Sequence, residues 1–167
     1  IIKKAPTKAK VLDLMCGPGY LLHKIQNQRK DLSLVGVDND NRYTNHAKKL
    51  YKNIDFLLTD SLRYRPKQKF DIIICTAGLH HLPYTKHEAF IRKISTMLRA
   101  DGFCILADPY IAPYTNEQSR RLAAAELGTE YLKAVLQKNA PNEIVSATID
   151  ILSNDILPHG EYKTYTS

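Results

Sequence analysis

Short apolar runs alternate with helical patterns along the first two thirds of the chain. Five of these runs have the length and the β-branched content of buried strands. The predicted strands cover residues 10–15, 32–37, 54–58, 70–75 and 103–107. In the fourth run, Ile72, Ile73 and Ile74 are consecutive, which is typical of a central strand that is buried on both faces.

Amphipathic patterns between these runs predict helices. The predicted helices cover residues 21–28, 42–51 and 85–98. Thr85 and Glu88 have the spacing of a capping box for the third helix, and Gly102 is the residue expected to stop it. The connection over residues 61–69 is barely long enough for a crossover, so we expect it to lack a full helix.

Strands that alternate with helices predict βαβ units and therefore a parallel sheet. We expect an α/β fold with a doubly wound, mainly parallel sheet, strand order 3-2-1-4-5, and helices on both faces. Because ligands of such sheets bind beyond the carboxyl ends of the strands, where the strand order reverses, the residues that follow each strand are the candidates for chemistry.

The last third of the chain has a different pattern. Residues 116–138 and 141–156 predict two amphipathic helices, the second starting at Pro141. No strand pattern follows, so a sixth and a seventh strand are expected to be absent. We therefore divide the chain into a core over residues 1–115 and a helical lid or extension over residues 116–167. An exposed apolar edge at the fifth strand predicts a possible homodimer.

The net charge of +7 is unevenly distributed, with 15 Lys and Arg against 6 Asp and Glu in residues 1–70. A basic half can attract a nucleic acid or another anionic partner. We do not favour a nucleic acid, because aromatic residues are not interleaved with these charges as in an RNA-binding motif. A solvated basic rim is the simpler interpretation.

Other features of the composition suggest a cytoplasmic protein. The chain has no apolar run of about 18 residues, so we expect no membrane span. Ile1 to Lys4 are not followed by an apolar segment, so they do not predict a signal peptide. The three cysteines have neither disulfide nor metal-ligand spacing, which indicates reduced thiols and no metal site.

A nucleoside site is predicted at the end of the first strand. The strand contains Asp13 and leads into Gly17-Pro18-Gly19, and Asp38 ends the second strand. A strand, a Gly-x-Gly turn, a helix and an acid about 20 residues later are typical of nucleoside binding. A dinucleotide requires a small residue where Leu22 stands, and a pyrophosphate gains nothing from Asp13. A cationic ligand fits better.

At this point the residues resemble a known family. Val11 to Gly19 is similar to the first motif of the class I, Rossmann-like S-adenosylmethionine-dependent methyltransferases, in which a strand and an acidic residue precede Gly-x-Gly. Further stretches agree in order over about residues 9–110. These stretches are residues 35–38, Asp60, residues 70–82 and residues 98–103.

The resemblance implies S-adenosylmethionine as the cofactor and gives each matching residue a role. Asp38 would accept hydrogen bonds from the ribose hydroxyls, Asp60 and Ser61 would meet the adenine, and Thr76 and Ala77 the methionyl end. Asn39 is a departure, because the family often has an apolar residue there against the adenine. The expected cofactor-binding residues are Asp13, Cys16, Gly17, Gly19, Asp38, Asn39, Asp60, Ser61, Thr76 and Ala77.

Two histidines are the candidates for catalysis. His80 and His81 follow the fourth strand, where an acceptor would approach, and either could remove a proton from it. A His-His-Leu run is common in the resembling family across many substrates, so a packing or orienting role is the alternative. Tyrosines at positions 20, 84, 110 and 114 could line an acceptor pocket.

The absence of two motifs from the sequence restricts the class of the methyl acceptor. Strand four is not followed by the Asn/Asp-Pro-Pro-aromatic run of enzymes that methylate planar nitrogens, and no Pro-Cys pair for pyrimidine C5 chemistry is present. We therefore predict a methyltransferase for a small-molecule O, N or C acceptor. An RNA or protein methyltransferase, a non-catalytic nucleotide-binding module, and an NAD- or nucleotide-sugar-dependent oxidoreductase stay open as alternatives.

Overall fold

The computed structural model describes residues 2–156. The strands are β1 (Lys10–Leu14), β2 (Ser33–Asp38), β3 (Asp55–Leu58), β4 (Phe70–Thr76) and β5 (Leu98–Ala107). The helices are α1 (Tyr20–Gln28), α2 (Asn41–Leu50), α3 (Tyr84–Met97), α4 (Glu117–Gln137) and α5 (Asn142–Ile151). A 3₁₀ turn covers Leu79–His81 and a π-helical turn covers Leu152–Ile156. Within residues 2–156, no helix is long and apolar enough to cross a membrane.

The five strands form one parallel sheet with the order β3-β2-β1-β4-β5. This confirms the predicted doubly wound α/β fold. The connection between β3 and β4 contains no helix, as expected from its length. Because β1 lies between β2 and β4, the direction of winding reverses beside β1, and a crevice opens at the carboxyl ends of these strands.

The centre of the sheet is buried on both faces. Val11, Leu12 and Leu14 of β1 have no exposed surface, and neither has any residue of Ile72–Ile74 in β4. Burying each such side chain contributes about 1.5–3 kcal/mol, so these two strands anchor the fold. Asp13 lies in the same layer of β1, and a carboxyl group in such surroundings is costly without a partner.

The capping box predicted at Thr85 and Glu88 is wrong. The helix α3 begins at Tyr84, with Pro83 at the N-cap and no side chain that caps it. Pro83 has its φ fixed by its ring, and the helix begins two residues earlier than an N-cap at Thr85 requires. Glu88 instead forms an exposed ion pair with Arg92 one turn further along.

Gly102 does not stop α3, contrary to the prediction. The strand β5 already begins at Leu98, which pairs with Phe70, while Ile72 pairs with Phe103. The additional residues of β5 between these pairs form an irregularity in which Gly102 lies. A Cβ atom at Gly102 would stand 3.0–3.1 Å from three backbone oxygens, so close backbone packing explains the glycine.

Contacts divide the chain after Ala107, and a second unit begins at Asp108. In this second unit, Asn116 and Ser119 form a capping box at the start of α4, which sequence analysis missed. Its small core comprises Ile111, Ala123 and Ala124. The two predicted helices are present, and the described part of the unit contains no strand. A division at residue 115, a lid role for these helices and a homodimer stay predictions, the last to be checked by light scattering.

Candidate functional site

A cavity of about 510 Å³ lies at the carboxyl ends of β1, β2, β3 and β4. Nine of the ten predicted cofactor-binding residues line it, and the exception is Gly19. Of the two predicted catalytic histidines, His81 lines the cavity and His80 does not. The structure therefore brings together, in one place, residues that are spread over more than sixty positions of the chain.

The loop between β1 and α1 forms one wall, and its backbone is left-handed at Met15, Gly17 and Gly19, with φ of 58°, 52° and 79°. A Cβ atom at Gly17 would meet nothing within 4 Å, since this residue borders the cavity. A Cβ atom at Gly19 would lie 2.6 Å from the ring of Phe56 and 3.1 Å from Ala47. Gly19 therefore serves the packing of the loop on the core rather than the cavity wall.

This difference predicts how the two glycines respond to replacement. Gly17→Ala is expected to cost about 1 kcal/mol of unfolding free energy, because an alanine must adopt a left-handed conformation. Gly19→Ala carries the same strain and also forces a methyl group against Phe56, which costs about 1–3 kcal/mol more. Urea denaturation of the two variants checks this, and equal losses would contradict the packing role of Gly19.

Asp38 fixes the glycine loop to the end of β2. Its Oδ2 atom accepts a hydrogen bond from the backbone N–H of Gly17 at 2.8 Å, and its Oδ1 atom accepts one from the N–H of Asp40 at 2.8 Å. Each carboxylate oxygen has further lone pairs, so these bonds orient the group without using up its capacity. The carboxylate is thus held in place at the cavity wall.

Asp13 is the most deeply buried carboxyl group of the cavity, with 1% of the residue exposed. Its Oδ1 atom has no hydrogen-bond partner among the described residues. Burial, and secondarily the charge of Asp38, raises the pKa of Asp13 to about 8. A cationic donor would supply the missing hydrogen bond and would favour the ionised carboxylate over the protonated acid.

Cys16 lines the same cavity as these two acids. Its Sγ atom is 3.7 Å from the carbonyl oxygen of Gly17. Burial raises the pKa of the Cys16 thiol far above its usual range, and the charges of Asp13 and Asp38 raise it further. The sulfur is therefore present as the neutral thiol.

The loop after β3 forms the opposite wall. Asp60 accepts a hydrogen bond at Oδ1 from the N–H of Leu62 at 2.8 Å. Ser61 is 4% exposed, and its Oγ atom has no partner among the described residues. From α3, the Lys93 ammonium donates to the carbonyl oxygen of Ser61 at 2.5 Å. Burial lowers the pKa of Lys93 to about 8, assisted by the nearby Arg65.

The end of β4 closes the cavity on the remaining side. Thr76 and Ala77 line it, and Ala77 has a φ of 49°, which an alanine rarely adopts. The N–H of Ala77 donates to the carbonyl of Ala107 at 2.7 Å, which holds this conformation. In the following 3₁₀ turn, His80 is 7% exposed and its ring lies 4.0 Å from that of His81, which is exposed.

The cavity has a strongly acidic wall. Four carboxyl groups line it and no Lys or Arg side chain is among its described lining residues. The four acids are Asp13, Asp38, Asp40 and Asp60. Within residues 2–156, no three His, Cys, Asp or Glu side chains come together as metal ligands. Carboxyl groups without a lining Lys or Arg favour an organic cation as the ligand.

Sequence analysis missed several lining residues. The additional lining residues are Met15, Pro18, Leu21, Asp40, Tyr43 and Leu82. The signal for Tyr43 was present, because Asp40 is a recognisable N-cap and the first turn of the helix after it faces the carboxyl end of the sheet. Two of the four tyrosines that were predicted to line an acceptor pocket, Tyr20 and Tyr84, lie in the first unit and do not border this cavity. The assignment of Tyr110 and Tyr114 stays a prediction.

Comparison with known proteins identifies the class to which this fold and site belong. The methyltransferase domain family matches residues 11–102. A trans-aconitate 2-methyltransferase from Variovorax paradoxus is 29% identical over 72% of this chain and 46% of its own length. A carboxy-S-adenosyl-L-methionine synthase from Campylobacter hominis is 32% identical over 62% of this chain and 46% of its own length. The crystal structure of a TehB-like SAM-dependent methyltransferase from Corynebacterium glutamicum has a TM-score of 0.56 and 26% identity, covering 62% of this chain and 56% of that one.

The family match covers more than half of the chain and contains the glycine loop, the acids and strand β4. The chain therefore belongs to the class I, Rossmann-like S-adenosylmethionine-dependent methyltransferase family, as its motifs indicated. It spans less than half the length of these two curated relatives.

Proposed function

We propose that this chain binds S-adenosylmethionine in the acidic cavity and transfers its methyl group to a small-molecule O, N or C acceptor. One observation carries the proposal. Asp13 Oδ1 and Ser61 Oγ are buried polar atoms without a partner among the described residues, and both residues line this cavity. Leaving such atoms unpaired costs about 1–3 kcal/mol each, which a ligand with suitably placed polar groups recovers.

The residues that line the cavity fit the methionyl portion, the ribose and the adenine of S-adenosylmethionine. Asp13 would accept from the ammonium group of the methionyl portion, beside Thr76 and Ala77. Asp38 is already oriented by two backbone N–H groups and would accept from the ribose hydroxyls. Ser61 would supply its unused hydroxyl at the adenine edge. The left-handed backbone at Ala77 is a further mark of a binding site, because such strain concentrates at functional positions.

The charge of the wall argues against the oxidoreductase alternative. A nicotinamide dinucleotide or a nucleotide sugar carries a pyrophosphate, and none of the described lining residues is a Lys or Arg that would neutralise it. S-adenosylmethionine carries a sulfonium and an ammonium instead. The composition of the wall therefore favours this cofactor over a dinucleotide.

The chemistry requires mainly that the chain holds its ligands in line. When bound, S-adenosylmethionine supplies a methyl group on a positively charged sulfur, which a nucleophile attacks from the opposite side. The protein gains most from positioning the reacting groups, because alignment alone removes a large part of the barrier. His81 lines the cavity next to the end of β4 and is exposed, so it can contact the acceptor and take up its proton.

The acceptor class rests on the relatives and on the sequence. The name of the trans-aconitate 2-methyltransferase states a small carboxylic acid as its substrate. This chain also lacks the strand-four motif of enzymes that methylate planar nitrogens, having Thr76-Ala77-Gly78 there. Both observations favour a small molecule over a nucleic acid or a protein.

Two experiments test the proposed function. Isothermal titration of the full chain with S-adenosylmethionine, S-adenosylhomocysteine and NAD is expected to show heat for the first two only. Incubation with a methyl-labelled donor and a panel of metabolites, followed by mass spectrometry, is expected to identify a methylated small molecule. Binding of NAD alone would contradict the cofactor, and transfer only to RNA or protein would contradict the acceptor class.

The two histidines are expected to behave differently. His81→Ala should lower kcat about 10- to 100-fold, because it removes the group that meets the acceptor proton, and should leave the Kd for S-adenosylmethionine within about threefold. His80→Ala should instead lower the melting temperature, because His80 is buried and does not line the cavity. Kinetics, titration and thermal unfolding of both variants check this. An unchanged kcat in His81→Ala would contradict its role.

A further inference from the structure

Tyr43 is a large aromatic residue of the cavity wall that the proposed roles leave unused. It is the third residue of α2 and lines the cavity. Tyr43 is 45% exposed, whereas Thr44 and Ala47 of the same helix have no exposed surface. The ring therefore does not belong to the hydrophobic core, and its position at the cavity needs another explanation.

The topology places Tyr43 at the nucleoside end of the cavity. Asp38 ends β2 and Asp60 follows β3, and these two strands are neighbours, with the N–H of Thr59 donating to the carbonyl of Asp38 at 2.9 Å. The helix α2 connects these same strands and contacts both. Thr76 lies on β4, on the other side of β1. Tyr43 is thus on the side of the ribose and adenine acids, away from the methionyl end.

The first turn of α2 is held firmly. Asp40 caps the helix by accepting from the N–H of Arg42 at 2.7 Å. The guanidinium of Arg42 also donates to Asp40, and it lies 5.9 Å from the centre of the Tyr43 ring. These contacts limit the orientations of the turn, so the ring is presented to the cavity by a fixed backbone.

The position that the family often uses for an apolar contact with adenine is occupied here by Asn39, a polar residue that also lines the cavity. An adenine needs a flat apolar surface as well as hydrogen-bond partners, because its faces are poorly hydrated and stack on aromatic rings. We propose that Tyr43 provides this surface, so that its ring stacks on the adenine of the bound cofactor. The inference rests on the proposed function and extends it to a residue outside the recognised motifs.

Titration of two variants tests the proposal. Tyr43→Ala is expected to raise the Kd for S-adenosylmethionine and S-adenosylhomocysteine about tenfold, which is the lower part of the range for a lost base–aromatic stack. Tyr43→Phe keeps the ring and should bind within about twofold of the unaltered chain. The matched control is Tyr84→Ala in the first turn of α3, since Tyr84 is similarly exposed, at 54%, and does not line the cavity.

A fluorescent variant gives a readout that is independent of affinity. The chain contains no tryptophan, so Tyr43→Trp introduces a single indole. Its emission is expected to be quenched by adenosine and by S-adenosylhomocysteine and to be unchanged by methionine. Unaltered affinity in Tyr43→Ala, or quenching by methionine but not by adenosine, would overturn the stacking role alone. If the unaltered chain binds neither S-adenosylmethionine nor S-adenosylhomocysteine, the proposed function falls together with it.

Discussion

Asp38→Ala is expected to raise the Kd for S-adenosylmethionine at least about 100-fold. The carboxylate accepts from Gly17 and Asp40 in the structure and is proposed to accept from the ribose hydroxyls as well. Its removal therefore releases the glycine loop and also deletes the contact to the sugar. Hydrogen bonds to a charged group contribute about 1.5–3 kcal/mol each, and the loss of two reaches this magnitude. Isothermal titration of the folded variant measures the effect.

Two further variants separate the charge from the fold. Asp38→Asn keeps one acceptor oxygen at the same place. We therefore expect it to raise the Kd about tenfold, which is less than the effect of Asp38→Ala. Asp55→Ala changes an exposed acid at the start of β3 that does not line the cavity, and should bind normally. Circular dichroism confirms that each variant is folded. Unchanged affinity in folded Asp38→Ala would contradict the ribose role.

The second large effect is a steep dependence of cofactor affinity on pH. Because the pKa of Asp13 is raised to about 8 in the chain without ligand, this acid is mainly protonated at pH 6. An ammonium or sulfonium favours the carboxylate, so binding releases a proton. The affinity for S-adenosylmethionine should therefore rise about tenfold per pH unit from pH 6 to about 8 and then level off.

The free energy of unfolding depends on pH with the opposite sign to the cofactor affinity. A carboxyl group whose pKa is higher in the folded chain than in the unfolded chain binds more protons when folded, so stability falls as the pH rises from about 4 to about 8. Asp13→Asn should remove both the rise in affinity and the fall in stability.

Calorimetry at pH 7 in two buffers of different ionisation enthalpy counts the released proton. The other titratable side chains that line the cavity remain in the Asp13→Asn variant and serve as the internal control. They are Cys16, Asp38, Asp40, Tyr43, Asp60 and His81. Binding without proton release, or a slope that persists in Asp13→Asn, would contradict the assignment to Asp13.

Most of the fold was predictable because the strands of the sheet and the turn after β1 have recognisable local sequence patterns. The strands β1 and β4 are buried on both faces, so their residues are apolar without alternation, and the glycine turn marks the end of β1. The acids that end β2 and follow β3 come to the same cavity because parallel strands share their carboxyl edge. Nine of the ten residues proposed for the cofactor could therefore be placed from sequence alone.

The exceptions depend on contacts between elements that are distant in sequence. Gly19 looks like Gly17 in the motif, but only the ring of Phe56, contributed by β3, shows that it serves packing. The sequence does not distinguish His80 from His81. The conformation of the 3₁₀ turn determines which of them lines the cavity. Tyr43 lies in no motif and joins the site through the position of α2. For Gly19 and the two histidines, pairwise geometry of this kind leaves no local signal in the sequence.

The protonation of Cys16 has a consequence for the proposed methyl transfer. A thiolate is the form of cysteine that attacks carbon on a sulfonium, whereas the neutral thiol is a poor nucleophile. Burial beside Asp13 and Asp38 keeps the proton on the sulfur. The chain can thus carry a cysteine in the wall of the proposed cofactor cavity without methylating itself.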